Sequence, residues 1–160
     1  MTADRTTRLL SLAQELAAER PTFFDIKGPS IGDKDTASFM RELRRRATNL
    51  LGEDFAERKV CGENGLCVDY YFPDEETIVE IAMGLRNPNS EFERDILKAV
   101  MAQDAGYAVR RLVFIAKPGA TKKCAQPSSR AIIEWAARAH ALTIDVYELQ
   151  TSRVEVDVAG

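Results

Sequence analysis

The pattern of hydrophobic and polar positions along the chain opens with a helical stripe. Residues 4–19 place leucine and alanine at the 3.6-residue spacing of an amphipathic helix. Pro21 predicts the end of this helix, because proline cannot continue the backbone hydrogen bonding. Residues 20–34, which contain two prolines and two glycines, predict a long loop. Phe23 and Phe24 within it indicate that this loop packs onto the core.

A second helical stripe is followed by a change to alternation. The helix is predicted to run from a cap at Asp35 or Thr36 to about Leu51. The period then becomes that of extended chain and predicts strand 57–62. The turn that follows, 63–65, contains Asn-Gly, a strong hairpin signal.

Two further alternating runs, residues 66–72 and 77–83, are rich in β-branched and aromatic residues and predict a β-hairpin. With residues 73–76 as the connection, Asp69 lies opposite Glu80. Two carboxylates about 5 Å apart repel each other by roughly 3 kcal/mol at an effective dielectric near 20. The pair therefore needs a counter-charge: a divalent cation, an arginine or lysine, or a proton held at a raised pKa.

The rest of the chain alternates helices with strands. In order, the pattern predicts a helix from a capping box at Ser90 to about Ala105, a buried strand 108–116, a basic loop 117–127, a helix from Ser128 or Ser129 to His140, and a strand 142–149. Helical crossovers of this kind join parallel strands, whereas the meander before them is antiparallel. The predicted sheet is therefore mixed.

These elements predict an α/β fold with a mixed central sheet flanked by helices. The length of 160 residues and the hydrophobic share of 45% suit one globular domain that folds without disulfides. We divide this single domain, 1–160, into an N-terminal helix and loop (1–34), a core (35–149) and a C-terminal tail or edge strand (150–160).

Composition restricts the classes of function. Three cysteines without C-x-x-C spacing and a single histidine argue against a disulfide framework and a zinc site, and favour the cytoplasm. The first twenty residues have no long apolar run, so we expect no signal peptide and no membrane span. The net charge of −3 gives no global attraction to nucleic acid, although a basic patch on an acidic protein still permits it.

The order of elements and the hairpin motif together resemble those of the restriction endonuclease-like superfamily, the PD-(D/E)XK nucleases. Asp69 matches the metal-binding aspartate and Glu80-Ile81-Ala82 matches the (D/E)-X-K triplet, within an order of elements that spans residues 35–149. The resemblance implies an αβββαβ core, here with a further helix and strand, that hydrolyses DNA phosphodiester bonds. Asp69, Glu80 and the carbonyl of Ile81 would hold Mg²⁺ (or Mn²⁺), which lowers the pKa of an attacking water.

The third motif position departs from the family, because the usual lysine is Ala82. Family members also use other residues or draw the amine from a neighbouring element. Gln103, on the apolar stripe of the helix after the hairpin, is one candidate replacement. Lys98, about 120° round that helix and expected to be more exposed, is the other. Arg58 is predicted on the same side of the sheet as Asp69, where it holds a phosphate or pairs with the carboxylates.

Two basic segments are candidate DNA contacts, and each also has a structural interpretation as a solvated surface. Their residues are Arg41 and Arg45 on the second helix, and Lys122, Lys123 and Arg130 before and within the last helix. Glu42 either joins the carboxylates or pairs with Arg46 at i+4. Trp135 is predicted in the core and His140 as a partner of the helix C-terminal dipole.

Two alternatives to a DNA nuclease stay open at this point. A degenerate relative would keep the fold and bind nucleic acid or protein, for which Ala82 is the main support. A structural protein would dimerise through a strand at 153–158. If a chain this short and acidic is an enzyme, we expect an extra domain or a partner to supply recognition of DNA, and a homodimer stays open as well.

Overall fold

The computed structural model describes residues 3–24, 29–83 and 91–150. Its helices are α1 (Arg5–Ala18), α2 (Pro29–Leu51), α3 (Glu91–Asp104), α4 (Ala120–Cys124) and α5 (Pro127–His140). Its strands are β1 (Ala56–Arg58), β2 (Val68–Phe72), β3 (Thr77–Ala82), β4 (Arg111–Ala116) and β5 (Thr143–Glu148). The predicted strand at 153–158 lies outside the described residues.

The five strands form one mixed sheet in the order β1-β2-β3-β4-β5. The pairs β1–β2 and β2–β3 are antiparallel, whereas β3–β4 and β4–β5 are parallel. Helices cover both faces, with α1 and α2 on one and α3 and α5 on the other. The prediction of an α/β fold with a mixed central sheet flanked by helices is confirmed. Among the described residues, no helix combines the length and the apolar character that crossing a membrane requires.

Each face of the sheet has its own hydrophobic core. On the first face, Leu9 of α1 and Phe39 of α2 are buried in a cluster with Val113 of β4. On the second, Phe92 of α3 lies with its ring centroid 5.3 Å from that of Phe114 of β4. Burying a side chain of this size contributes about 1.5–3 kcal/mol relative to leaving it in water. The alternation of β4 residues between the two clusters therefore fixes the helices on both faces.

The β2–β3 hairpin has the predicted register. Phe72 pairs with Thr77 and Tyr70 pairs with Val79. A 3₁₀ turn over Pro73–Glu75 makes the connection. This register is the one that sets Asp69 and Glu80 side by side.

The start of α2 was predicted wrongly. The helix begins at Pro29, six residues before the expected cap at Asp35, so the loop predicted to reach residue 34 is shorter. Proline at the first helical position loses no hydrogen bond and has the required φ, which explains the early start. The packing prediction for the loop is confirmed, because Phe23 is buried and stacks on Phe39 at 4.9 Å.

Strand β1 also differs from its prediction, in length and in register. It covers Ala56–Arg58 rather than 57–62, and nine residues connect it to β2 in place of a tight Asn-Gly turn. Asn64 instead stabilises a wider loop, since its amide donates to Cys61 O at 2.7 Å. The observed pairing of Arg58 with Val68 shifts the register by an odd number of residues, which puts Arg58 on the other side of the strand from the predicted one.

Two predictions at the C-terminal end also need correction. The basic loop 117–127 contains the short helix α4. Trp135 is 42% exposed rather than part of the core, and its ring packs on His140 at 4.8 Å. The buried stripe of α5 runs instead through Ser129 and Ala136. Ile132 and Ile133 of the same helix are partly buried against the second core, so this side of α5 faces the sheet and Trp135 stays at the surface.

Candidate carboxylate and lysine site

The candidate site lies where the β2–β3 ladder ends. Past the pair Tyr70–Val79, the Ile81 N–H donates to Asp69 Oδ2 at 2.7 Å instead of to a backbone carbonyl of β2. Burial raises the pKa of Asp69, whereas the Ile81 N–H and the neighbouring Glu80 carboxyl act to lower it. The structure therefore brings the two predicted carboxylates together.

Lys98 of α3 supplies the counter-charge. Its Nζ lies 2.9 Å from Glu80 Oε1 and 3.2 Å from Asp95 Oδ1, and it donates to Cys67 O at 3.0 Å. The Lys98 side chain is 11% exposed, and those of Glu80 and Asp95 are 3% and 8% exposed. Lys98 was expected to be more exposed, and that expectation is wrong. The long side chain allows an amine that starts on α3 to reach the sheet.

The placement of α3 explains how Lys98 and Asp95 reach the sheet together. Phe92, Ile96 and Ala99 are buried and fix this helix against the second face. Asp95 and Lys98 stand three residues apart, so they share one side of the helix next to that buried stripe. A small rotation of the buried stripe from the predicted one, which had included Gln103, is sufficient to bring both side chains to Glu80.

Burial perturbs every ionisable group in this cluster. Burial, and then the negative charges of Asp69 and Asp95, raise the pKa of Glu80 well above its ordinary value. Burial likewise raises the pKa of Asp69 and that of Asp95. Burial acts to lower the pKa of Lys98, but Glu80 and Asp95 outweigh it and the pKa of Lys98 is raised. Lys98 is therefore a cation at neutral pH. The three carboxyls around it share this one positive charge, so each of them binds a proton more readily than a carboxyl in water.

A cavity of about 550 Å³ opens above the cluster. Four carboxylates line it, those of Asp69, Glu80, Glu91 and Asp95, together with the two cations Arg94 and Lys98. The formal charge of these side chains is thus 2 − 4 = −2. Burial, and then the negative charges of Asp95 and Asp69, raise the pKa of Glu91 as well. A cavity with this charge attracts cations.

The donor atoms suit a hard divalent cation, although the site is not arranged around one. Glu80 Oε1 is buried and, among the described residues, accepts no hydrogen bond of good geometry despite the nearby ammonium. The N–H of Ile81 points to β2, so its carbonyl points to the same side and towards the carboxylates. Carboxylate and carbonyl oxygens are the ligands that Mg²⁺ takes. In residues 3–24, 29–83 and 91–150, no three acidic, histidine or cysteine side chains stand together as metal ligands.

Gln103 and Arg58 lie away from this cluster, contrary to prediction. Gln103 Nε2 donates to Val109 O at 2.8 Å and to His140 O at 3.0 Å, so its amide joins α3 to the loop before β4 and to the end of α5. Arg58 donates to Asp54 O at 2.7 Å, just before β1 in the chain. Its shift follows from the altered β1 register.

The arginines of α2 are largely neutralised by carboxylates. Arg45 pairs with Glu42 at 2.7 Å, and Arg46 pairs with the same carboxylate at 2.8 Å. The i+4 alternative for Glu42 is therefore confirmed, and these contacts lower the pKa of Glu42 to about 2. Arg44 pairs with Asp54 at 2.7 Å. Arg41 and Arg45 are both exposed.

The second basic segment lies near β5, at the edge of the sheet opposite to β1. Lys122 is exposed on α4 and Arg130 is exposed on α5, 4.0 Å from Glu134. Lys123 is half-buried. These three residues do not line the carboxylate cavity. Any role in binding nucleic acid stays a prediction for them, as it does for Arg41 and Arg45.

Two residues of the site, Asp95 and Glu91, are not predicted by the sequence pattern. The spacing of Asp95 three residues before Lys98 was the available signal, because it marks an acidic and a basic group on one side of a helix. Comparisons of the chain with protein-family models, with curated proteins and with solved structures gave no match. The geometry of the site therefore carries the functional argument.

Proposed function

We propose that this protein hydrolyses DNA phosphodiester bonds with Mg²⁺ in the manner of the PD-(D/E)XK nucleases. The observation that carries the proposal is the convergence of Asp69, Glu80 and an amine at one point, with Lys98 Nζ 2.9 Å from Glu80 Oε1. The motif lysine that Ala82 lacks would then come from α3. The meander, helix and parallel strand of the sheet support an αβββαβ core of that superfamily.

The roles of the residues follow from their charge and burial. Asp69, Glu80 and the Ile81 carbonyl are the oxygens that would hold the cation, which when bound lowers the pKa of water and neutralises phosphate charge. Lys98 keeps its proton, because its pKa is raised. It therefore acts by donating hydrogen bonds and by stabilising developing negative charge, rather than as a general base. Asp95 positions the Lys98 amine at 3.2 Å.

Binding of the cation has to compete with Lys98 for Glu80. The ammonium lies at hydrogen-bonding distance from a carboxylate oxygen that the metal would use. Removing this positive charge should therefore leave metal binding at least as tight while it slows cleavage. This contrast between two measurements is specific to the proposed roles.

The test is calorimetric titration with Mn²⁺ followed by a cleavage assay on plasmid DNA in Mg²⁺. We expect wild type to bind one cation and Asp69→Asn to weaken binding at least about tenfold, the scale of one lost charged ligand. Lys98→Met should bind Mn²⁺ at least as tightly as wild type and cleave at least about 100-fold more slowly. Gln103→Leu, on the same helix but away from the cluster, is the matched control for cleavage. Absence of Mn²⁺ binding in wild type, or unchanged binding in Asp69→Asn, would contradict the proposal.

The second candidate function is a module that keeps this fold and binds nucleic acid or protein without catalysis. It is favoured by the ion pairs of Lys98 with Glu80 and Asp95, which satisfy much of the charge without a metal. This alternative would be supported if the wild-type protein binds the cation and shifts DNA in a mobility-shift assay but does not cleave it.

A further inference from the structure

A second cavity, of about 420 Å³, lies at edge strand β1 and the turn of the β2–β3 hairpin. Its lining includes Pro73 and Asp74, four or more residues along the chain from Asp69. At about 3.3 Å per residue, it lies roughly 13 Å from the carboxylate cluster along β2. Its chemistry is the reverse of that cluster, because cations and aromatic rings dominate: Arg5, Arg58, Lys59, Phe55, Tyr71 and Tyr107.

Tyr71 and Tyr107 pack against each other edge to face at this cavity. Their ring centroids are 6.0 Å apart with the planes nearly perpendicular, at 89°. The Tyr71 hydroxyl donates to Ala108 O at 2.9 Å, which holds that ring. Tyr107, just after the end of α3, is 42% exposed. A large ring left this exposed beside a cavity offers a surface on which a planar group can stack.

The two arginines are pre-positioned by Phe55. The guanidinium carbon of Arg5 lies 4.8 Å from the centre of the Phe55 ring, and that of Arg58 lies 5.9 Å from it. Arg58 is also held by its hydrogen bond to Asp54 O. Their side-chain entropy is therefore largely lost before any ligand binds, which favours binding.

The charges of the lining leave an excess of one positive charge. Arg5 pairs with Asp74 at 2.8 Å, and Arg58 lies 3.7 Å from Glu53. The third cation, Lys59, makes no ion pair with any residue that the structure describes. Three cations against two carboxylates give 3 − 2 = +1. In a chain of net charge −3, this is a local site for an anion.

We propose that this cavity binds one nucleotide unit, with its base stacked on Tyr107 and its phosphate held by Lys59 and Arg58. Aromatic stacking and a positive groove are the two components with which proteins bind single nucleotides of a strand without reading sequence. The guanidinium and ammonium groups suit a phosphate. The proposal does not depend on the carboxylate site, and it holds for a free mononucleotide and for a nucleotide within a single strand.

The experiment titrates AMP, adenosine, inorganic phosphate and a ten-residue oligothymidylate into the whole protein without divalent metal. We expect AMP to bind more tightly than adenosine or phosphate. Tyr107→Ala should weaken AMP binding roughly 5- to 150-fold, the loss of one stacked base, and Tyr107→Phe should bind as wild type does. Lys59→Ala should weaken both AMP and phosphate, and Lys59→Arg should restore them. Lys122→Ala, a cation outside the cavity, is the matched control for binding of AMP and of phosphate.

The experiment tests whether the site exists and, separately, whether its ligand is a free nucleotide or a nucleotide within a strand. Tighter binding of the oligonucleotide than of AMP, with the same loss in Tyr107→Ala, identifies a strand as the ligand, whereas the reverse order identifies a free nucleotide. Failure of both to bind, equal affinity for AMP and phosphate, or unchanged binding in Tyr107→Ala would each overturn the proposal. Asp69→Asn should leave this binding unchanged, so the result is independent of the proposed catalytic site.

Discussion

At the scale of single residues, Lys98 holds together a cluster that would otherwise repel itself. Its amine lies within 3.2 Å of two carboxylates that are themselves almost completely buried. A buried pair that loses one partner is destabilised far more than a surface pair, because the remaining charge is left in a region of low dielectric. The stability of the domain should therefore depend on this one side chain.

We predict that Lys98→Met lowers the free energy of unfolding by about 3–5 kcal/mol at pH 7.5, measured by urea denaturation. The double variant Lys98→Met with Glu80→Gln should recover part of this loss, because it removes the charge left unpaired. Leu97→Met, at the exposed neighbouring position, is the control and should change stability by less than about 0.5 kcal/mol. A loss below about 1 kcal/mol in Lys98→Met would contradict the prediction.

The same variant should have a characteristic dependence on pH. The pKa of Glu80 is already raised in the folded state. A carboxyl whose pKa is higher in the folded than in the unfolded state binds its proton more tightly when the protein is folded. Its protonation therefore stabilises the fold at pH values below the unfolded-state pKa, and this stabilisation is lost as pH rises through the folded-state pKa. The penalty in Lys98→Met should therefore shrink as pH falls from 7.5 towards about 5.

The sequence predicted part of this site for a clear reason. Asp69 and Glu80 followed from the register of a hairpin with a four-residue connection, which is a local property of the chain. The pattern indicates Lys98 as a candidate but does not predict its burial, because the rotation of α3 about its axis depends on packing against a sheet made by distant residues. Asp95 was missed for the same reason. Local pattern thus identifies the motif, whereas tertiary packing completes it.

At the scale of secondary structure elements, the turn of the β2–β3 hairpin holds the start of α1. The Glu75 carboxylate accepts hydrogen bonds from the Arg5 N–H at 2.8 Å, the Thr6 N–H at 3.1 Å and the Thr6 hydroxyl at 2.7 Å. Asp4 also caps the helix by accepting from the Thr7 N–H at 2.7 Å. A carboxylate from another element thus satisfies the unpaired N–H groups and the positive end of the helix dipole.

We predict that Glu75→Ala destabilises the protein by about 2 kcal/mol, since hydrogen bonds to a charged group are each worth more than neutral ones. Asp74→Ala, next to it, should cost less than about 1 kcal/mol, because Asp74 is 79% exposed and its ion pair with Arg5 lies at the surface. Thermal unfolding followed by far-ultraviolet circular dichroism compares the two. Equal effects of both substitutions would show that the cap contributes nothing beyond surface charge.

The contact between α2 and β1 should respond to acid. Hydrogen bonds from Arg44 lower the pKa of Asp54, assisted by the Ala56 N–H at 3.0 Å and opposed by burial. A carboxyl with a lowered folded pKa contributes stability above its unfolded pKa, and this contribution is lost as pH falls. Asp54 and Arg44 are 41% and 39% exposed, so the contribution is at most about 1 kcal/mol.

We therefore predict that wild type loses more stability than Asp54→Asn between about pH 5 and pH 2 in urea denaturation. Glu57→Gln serves as the control. Glu57 is the second carboxylate paired with Arg44, and its side chain is 69% exposed. Parallel pH profiles for wild type and Asp54→Asn would contradict the prediction.

The order and type of the main elements were predictable, but several boundaries were not. Strands β2 to β5 and helices α1, α3 and α5 followed from periodicity and from punctuation by glycine and proline. The register of β1 did not, because a nine-residue loop with Gly62 and Gly65 in the left-handed region replaced the expected tight turn. One odd shift was enough to remove Arg58 from the carboxylates.

At the scale of the whole molecule, positive charge available to nucleic acid is limited. The net charge is −3, and the arginines at the centre of α2 pair with carboxylates of the same chain. Binding to a polyanion through those arginines would first require breaking these pairs. Exposed cations elsewhere, such as Lys59 and Arg41, remain.

We predict a shallow dependence of DNA affinity on salt. If about three phosphates are contacted, a plot of log K against log salt concentration has a slope near −2 for single strands and near −3 for duplex. Fluorescence anisotropy between 50 and 200 mM salt measures it. A slope of about −6 or steeper would show that the paired arginines of α2 are released to bind DNA.

The hydrogen bonds of Glu75 also bear on how the chain folds. They join positions that are 70 residues apart, so α1 acquires this cap only after the β2–β3 hairpin has closed. An isolated helix of 14 residues is marginal in water, and closing so long a loop is entropically costly. We infer that α1 docks late, behind a transition state organised around the hairpin, and that substitutions in α1 accelerate unfolding more than they slow folding.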